Sequence, residues 1–133
     1  MHNYNKLHIW QDGINLARRI YEITAAFPPH EKYGIVSQMT RAAVSIPSNI
    51  AEGSGRNSQK DQAHFYNIAY GSLMEVFSQL DIACDLGYIS QEEFNQLESL
   101  INEEAKMLSG LIAKRKQPIA QRPKTYSVAS SNL

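Results

Sequence analysis

The chain has 133 residues, balances 13 Lys/Arg against 13 Asp/Glu, and contains one cysteine. That length holds one hydrophobic core and not two. No run of about 18 uninterrupted apolar residues is present to span a bilayer, the first residues lack the basic-then-apolar layout of a signal peptide, and a single thiol cannot close an internal disulfide. A soluble cytoplasmic domain is predicted, with Cys84 as a buried reduced thiol.

The first helical pattern runs from about His8 to Ala26, with an apolar stripe at Trp10, Ile14, Ala17, Tyr21 and Thr24 and with Ile20 on its flank. Phe27-Pro28-Pro29 ends it, because a residue before proline is pushed out of the α region. The second pattern steps through Ile35, Met39, Ala42, Ile46, Ile50 and Gly53, closed by Gly53 or Gly55 as a left-handed cap. Pro47 falls inside this helix, removing a backbone donor and crowding the Ala43 carbonyl at a cost of about 3 kcal/mol. Asn49, a nearby serine or a water is expected to satisfy that carbonyl.

The third helix opens on Ser58 as N-cap with Asp61 three residues on, carries Phe65, Ala69, Ser72, Leu73, Val76, Leu80, Ala83 and Leu86 on one face, and stops at Gly87. The fourth opens on a Ser90–Glu93 capping box and follows Phe94, Leu97, Ile101, Leu108, Leu111 and Ile112 to Lys114-Arg115-Lys116. Residues 118–133 have no sustained periodicity and are read as a flexible basic tail behind a bundle spanning 1–117. Strand signals are absent. Short connections make consecutive helices antiparallel neighbours, so the fold class is all-α, an up-down-up-down four-helix bundle. Tyr66 and Tyr70 lie one turn apart beside the main stripe, either as interface anchors or as part of a wide buried face.

Charge is unevenly spread. Residues 1–113 hold eight Lys/Arg and all thirteen acids, whereas residues 114–133 hold five bases and no acid. The body is therefore mildly acidic and the tail basic, as a phosphate-binding tail or simply as a solvated terminus after a helix end that favours cations.

Several strings together resemble a known family: Trp10-Gln11, Phe27-Pro28, the run Gln38-x-x-Arg41-Ala42-Ala43-x-Ser45-Ile46-Pro47-x-Asn49-Ile50-Ala51-Glu52-Gly53, Gly71-Ser72-Leu73-x-Glu75, and Leu86-Gly87-Tyr88. Over about residues 5–113 the chain resembles the ribosomal-RNA intervening-sequence proteins. The resemblance implies a four-helix bundle that assembles into a ring-like homopentamer of largely unassigned role. A related branch, the accessory proteins of diversity-generating retroelements, looks like a nucleic-acid-binding pentamer that also engages a reverse transcriptase. The acidic body of the present chain departs from that branch and leaves local basic patches to carry RNA or DNA binding.

Two constellations are singled out. If the second and third helices meet near residues 55–57, Arg41, Glu75 and Gln38 share a level and are expected to form an ion-pair network that fixes register. Ser45, Pro47, Asn49, Glu52 and Gly53 join them as folding or assembly residues. Gly53-Ser54-Gly55-Arg56 lacks the frame of a phosphate loop, yet Arg56, Ser58 and Lys60 at a helix start are natural phosphate contacts. With Lys114, Arg115, Lys116, Arg122 and Lys124 they make the candidate nucleic-acid set.

No catalytic group, cofactor or metal site is expected: the four histidines are scattered, and Asp61-x-x-His64 has no second copy to complete a bundle metal site. A non-enzymatic binding or scaffold protein is the resulting expectation, acting on RNA through sequence-independent phosphate contacts. The alternative is an adaptor for a protein partner with no nucleic acid involved.

Overall fold

A computed structural model describes residues 7–116. Four helices follow one another: α1 (His8–Thr24), α2 (Ile35–Ser54), α3 (Gln59–Asp85) and α4 (Gln91–Lys114), with a short 3₁₀ turn at Pro29–Glu31. Each packs on its sequence neighbours and α1 also meets α4, which closes an antiparallel four-helix bundle. Among the described residues there is no strand, and no helix is long and apolar enough to cross a membrane. The expected tail at 118–133, with Arg122 and Lys124, lies outside the described residues.

Local chemistry sets the helix ends. Ser58 Oγ accepts from the Asp61 backbone N–H at 3.1 Å, and Ser90 with Glu93 forms a reciprocal capping box. Gly87, at φ 78°, supplies the left-handed residue that ends α3. The expected left-handed cap on α2 is not found, since Gly55 is right-handed and Gly53 lies inside the helix. Gly53 serves packing: a Cβ there would stand 2.8 Å from the Tyr66 ring and 3.2 Å from the Gln62 carbonyl. Its missing side chain lets α3 close on α2.

Two faces differ from expectation. On α1 the buried stripe is Ile9, Gly13, Leu16, Ala17, Ile20, Ile23 and Thr24, about one residue's rotation from the predicted one. Trp10 is only half-buried, and Ile14 and Tyr21 are exposed. The buried stripe holds Ile9, Leu16, Ile20 and Ile23 and is the more apolar of the two. Gly13 lets it approach Ile46 and Pro47 of α2. On α3 the buried face is wide: Tyr66 is buried and so is no outer anchor, Tyr70 is half-buried and packs on the core, and Leu86 is exposed. Cys84 is half-buried, with Sγ 3.8 Å from Gln91 Oε1, and not enclosed as expected.

At one end of the bundle the Tyr88 hydroxyl donates to Glu31 at 2.8 Å, and its ring packs on Phe27. This contact ties the α1–α2 connection to the α3–α4 turn. The opposite end therefore gathers the start of α1, the α2–α3 turn and the end of α4.

Candidate nucleic-acid interface

The cations predicted from two separate stretches of sequence lie at that second end. Arg56 lies in the α2–α3 turn, Lys60 in the first turn of α3, and Lys114, Arg115 and Lys116 at the end of α4. Arg115 links them: its Nε donates to Gln62 Oε1 at 2.7 Å, and Gln62 Nε2 donates to the Arg56 carbonyl at 2.9 Å. Arg115 also donates to the Leu111 carbonyl, and its guanidinium lies 5.0 Å from the Tyr66 ring centroid. Burial raises the Tyr66 phenol above its ordinary pKa, while the Arg115 charge pulls it down.

The individual cations differ in availability. Arg56 is paired with Glu52 one turn back and lies over the Phe65 ring, so part of its charge is already answered. An exposed pair of this kind contributes little to stability, about 0.3–0.5 kcal/mol. Arg115 is fixed as a clamp between α3 and α4. Lys60, Lys114 and Lys116 are exposed and, among the described residues, none pairs with a carboxylate. Lys60 and Arg115 border a surface hollow of about 490 Å³. The start of α3 adds its positive backbone end beside Lys60.

The far end of the bundle has the opposite sign. Glu31, Asp81, Asp85, Glu92 and Glu93 gather around the connection that Tyr88 ties, against Lys32. The mildly acidic body is thus polarised along its axis. Composition concealed this, because the sequence total averages the two ends. His8 and Lys106 also belong to the basic end and were missed by sequence reasoning. They sit on the first and fourth helices, and only the closure of the bundle brings them together.

The predicted register network is not assembled. Gln38, Arg41 and Glu75 are all exposed, and among the described residues Arg41 makes no ion pair with Glu75. Glu75 instead accepts from Gln79 Nε2 at 3.3 Å. The polar link between α2 and α3 is Ser45 Oγ to Ser72 Oγ at 2.8 Å, with Asn49 Nδ2 donating to Ser45 Oγ at 3.0 Å and to the Ser45 carbonyl at 2.8 Å. Small side chains bring the two helices close, so short hydroxyls meet while the long polar chains stand at the outer edge. Asn49 serves the carbonyl of Ser45, and not that of Ala43 as expected. Pro47 is buried toward Gly13.

Two buried polar groups stand outside every expectation from the sequence: Gln79, whose Oε1 has no partner among the described residues, and the ionisable Glu104. Glu104 is 1% exposed in the core, and both carboxylate oxygens lack a hydrogen-bond partner among the described residues. A Cβ on Gly13 would stand 3.0 Å from its Oε2. Burial, reinforced by the charge of Asp12, pushes its pKa up to about 8. It is therefore largely a neutral acid at pH 7.

Comparison with known proteins decides the family. The model of the 23S rRNA-intervening sequence protein family matches residues 5–110, most of the chain. The chain belongs to that family. A solved structure with the same fold is a protein of unknown function from the S23 ribosomal protein family of Bacteroides thetaiotaomicron, at 23% identity and TM-score 0.71. The match covers 78% of this chain and 97% of that one. No curated protein matches. In this member of the intervening-sequence family, the described residues contain no group of three or more His, Cys, Asp or Glu side chains placed to hold a metal ion.

Proposed function

We propose that this intervening-sequence protein acts by binding and not by catalysis, with nucleic-acid phosphates, RNA first, as the partner of its basic end. The observation that carries this reading is that Arg56 and Lys60, around the α2–α3 turn, and Lys114, Arg115 and Lys116, around the end of α4, lie at one end of the bundle, joined there through Arg115 and Gln62. Lysines on such a surface bind by releasing counterions from the phosphate backbone, which gives affinity without base reading. Lys60, Lys114 and Lys116 would make the contacts, and Arg115 would hold the α4 end against α3.

Self-association, to the homopentamer that the resemblance implies, would repeat the weak basic end and multiply its contacts. Ile14 and Tyr21 support it: they lie seven residues apart on the outside of α1 and are exposed, as is Val44 of α2. Such an apolar stripe is what a neighbouring copy would cover.

Fluorescence anisotropy with a structured RNA over a salt series tests the reading. For Lys60→Glu with Lys114→Glu and Lys116→Glu, affinity is expected to drop at least tenfold. The salt slope should fall by about one for each phosphate no longer neutralised. Unchanged affinity in the triple variant would remove the proposal. Light scattering tests the assembly, where a monomer mass would exclude the repeated site.

One observation favours the adaptor reading. Ile68, Ile82 and Leu86 form a second exposed apolar line along α3, with Glu75 on the same edge. Absence of any RNA binding at low salt, with assembly intact, would shift the conclusion to that surface.

A further inference from the structure

Between the four helix ends at the basic pole lies a cavity of about 420 Å³. Its deep wall is apolar: Ile9 and Tyr66 are buried, with half-buried Met107 and Leu111 and the exposed Leu7 above them. Its margin is cationic, from His8, Lys106, Lys114 and Arg115, and no carboxylate is among its described lining residues. Apolar wall and cationic margin together define a ligand with a greasy body and one negative end.

The neutral polar groups narrow the class. Both ends of the Gln62 amide are already engaged, by Arg115 and by the Arg56 carbonyl. The Ser54 hydroxyl donates to the Ala51 carbonyl at 2.9 Å. The Tyr66 ring is covered by the Arg115 guanidinium. Little remains to read the hydrogen-bonding edge of a base or to stack on its face, so an unstacked nucleotide is a poor fit.

We propose that this cavity binds a single-chain acyl anion, its hydrocarbon chain against Ile9, Met107 and Leu111 and its carboxylate among Lys106, Lys114 and Arg115. The volume lies in the range of ordinary ligand sites. The site stands independently of the nucleic-acid reading, although Lys114 and Arg115 serve both, so an occupied cavity would weaken the phosphate contacts beside it.

Calorimetric titration of the full chain, without nucleic acid, tests this with hexanoate, octanoate, decanoate and decanol. One decanoate per chain is expected, with affinity rising about fourfold per methylene along the series and decanol at least tenfold weaker than decanoate. Lys106→Glu combined with Lys114→Glu, two exposed positions, should weaken decanoate at least tenfold while the circular dichroism of the helices is unchanged. No saturable decanoate binding, equal binding of decanol, or unaltered affinity in the double variant would overturn the proposal. Phosphatidylglycerol vesicles separate a free chain from a membrane surface: co-sedimentation without decanoate binding would overturn it too, and decanoate binding without co-sedimentation supports it.

Discussion

The bundle has two seams of unlike character. Where α2 meets α3, every device brings the helices together: Gly53 yields to the Tyr66 ring, Ala43 and Ala69 are fully buried, and Ser45 and Ser72 answer each other's hydroxyls. Where α1 meets α4, a carboxyl group is buried opposite Gly13 with both oxygens unpartnered among the described residues, and Asp12 adds like charge. The hydroxyls of the first seam answer each other, although Gln79 Oε1 on α3 has no partner among the described residues, and the second seam carries an electrostatic cost. Polarity inside a helix bundle is tolerated when it is short and paired, and is expensive when it is ionisable and alone.

Changing pH gives the largest expected effect. The folded Glu104 carboxyl titrates near 8, against an ordinary value of 4.5. Between those values the folded chain holds a proton that the unfolded chain has released, so this group's contribution to stability falls as pH rises. The slope is about 1.4 kcal/mol per pH unit, and the loss is complete once the folded group ionises above about pH 8, where it totals roughly 5 kcal/mol. Glu104→Leu removes both the titration and the unpaired oxygens. At pH 8 it is expected to be more stable than the parent by several kcal/mol in urea unfolding, with the advantage shrinking toward pH 4.5. A constant difference across that range would show that Glu104 is not the group that titrates.

Alanine at the two close-packed glycines sharpens the same contrast. At Gly53 the new methyl meets a buried ring at 2.8 Å and backbone at 3.2 Å, neither of which can swing away. At Gly13 it meets Oε2 of Glu104 at 3.0 Å, the end of a flexible chain. Gly53→Ala should cost about 1–3 kcal/mol from overpacking, reduced by up to about 1 kcal/mol of helix propensity. Gly13→Ala should be milder. Thermal unfolding of the two variants gives the order, and a larger loss at Gly13 would mean that α1–α4 is the more rigid seam.

The same contrast explains what could be read from the sequence. The α2–α3 seam was legible in outline, because Met39, Ala42, Ile46, Ile50 and Gly53 form one unbroken stripe and Ser58 and Ser90 advertise the helix starts. Its register detail was not. The expected Arg41–Glu75 pair needed long side chains to turn inward, whereas small neighbours left room only for hydroxyls. The α1 face was misplaced because the predicted stripe followed Trp10, Ile14 and Tyr21 and passed over Ile9, Leu16 and Ile23, which carry the more apolar face. Glu104 was detectable as a gap: the α4 stripe runs Phe94, Leu97, Ile101, then Leu108, and the skipped turn contains the buried acid. Arg56, Lys60 and Lys114 to Lys116 were named from the sequence and His8 and Lys106 were not; the cavity these last two border is a product of closure, which no local pattern encodes.

The smallest effect tests whether the Ser45–Ser72 hydrogen bond helps to hold the α2–α3 seam. Ser45→Ala leaves Ser72 half-buried with its partner gone and also removes the hydroxyl that accepts from Asn49, so a loss of about 1 kcal/mol is expected. Ser72→Ala removes only the cross-helix bond and should cost less. If the two hydroxyls act as a pair, the double variant should be no worse than Ser45→Ala, because the second removal has no bond left to break. A double-mutant cycle in urea reads this as a coupling of about 0.5 kcal/mol or more. Strict additivity would mean that close packing at Gly53, Ala43 and Ala69 holds the seam, with the hydroxyl pair contributing nothing of its own.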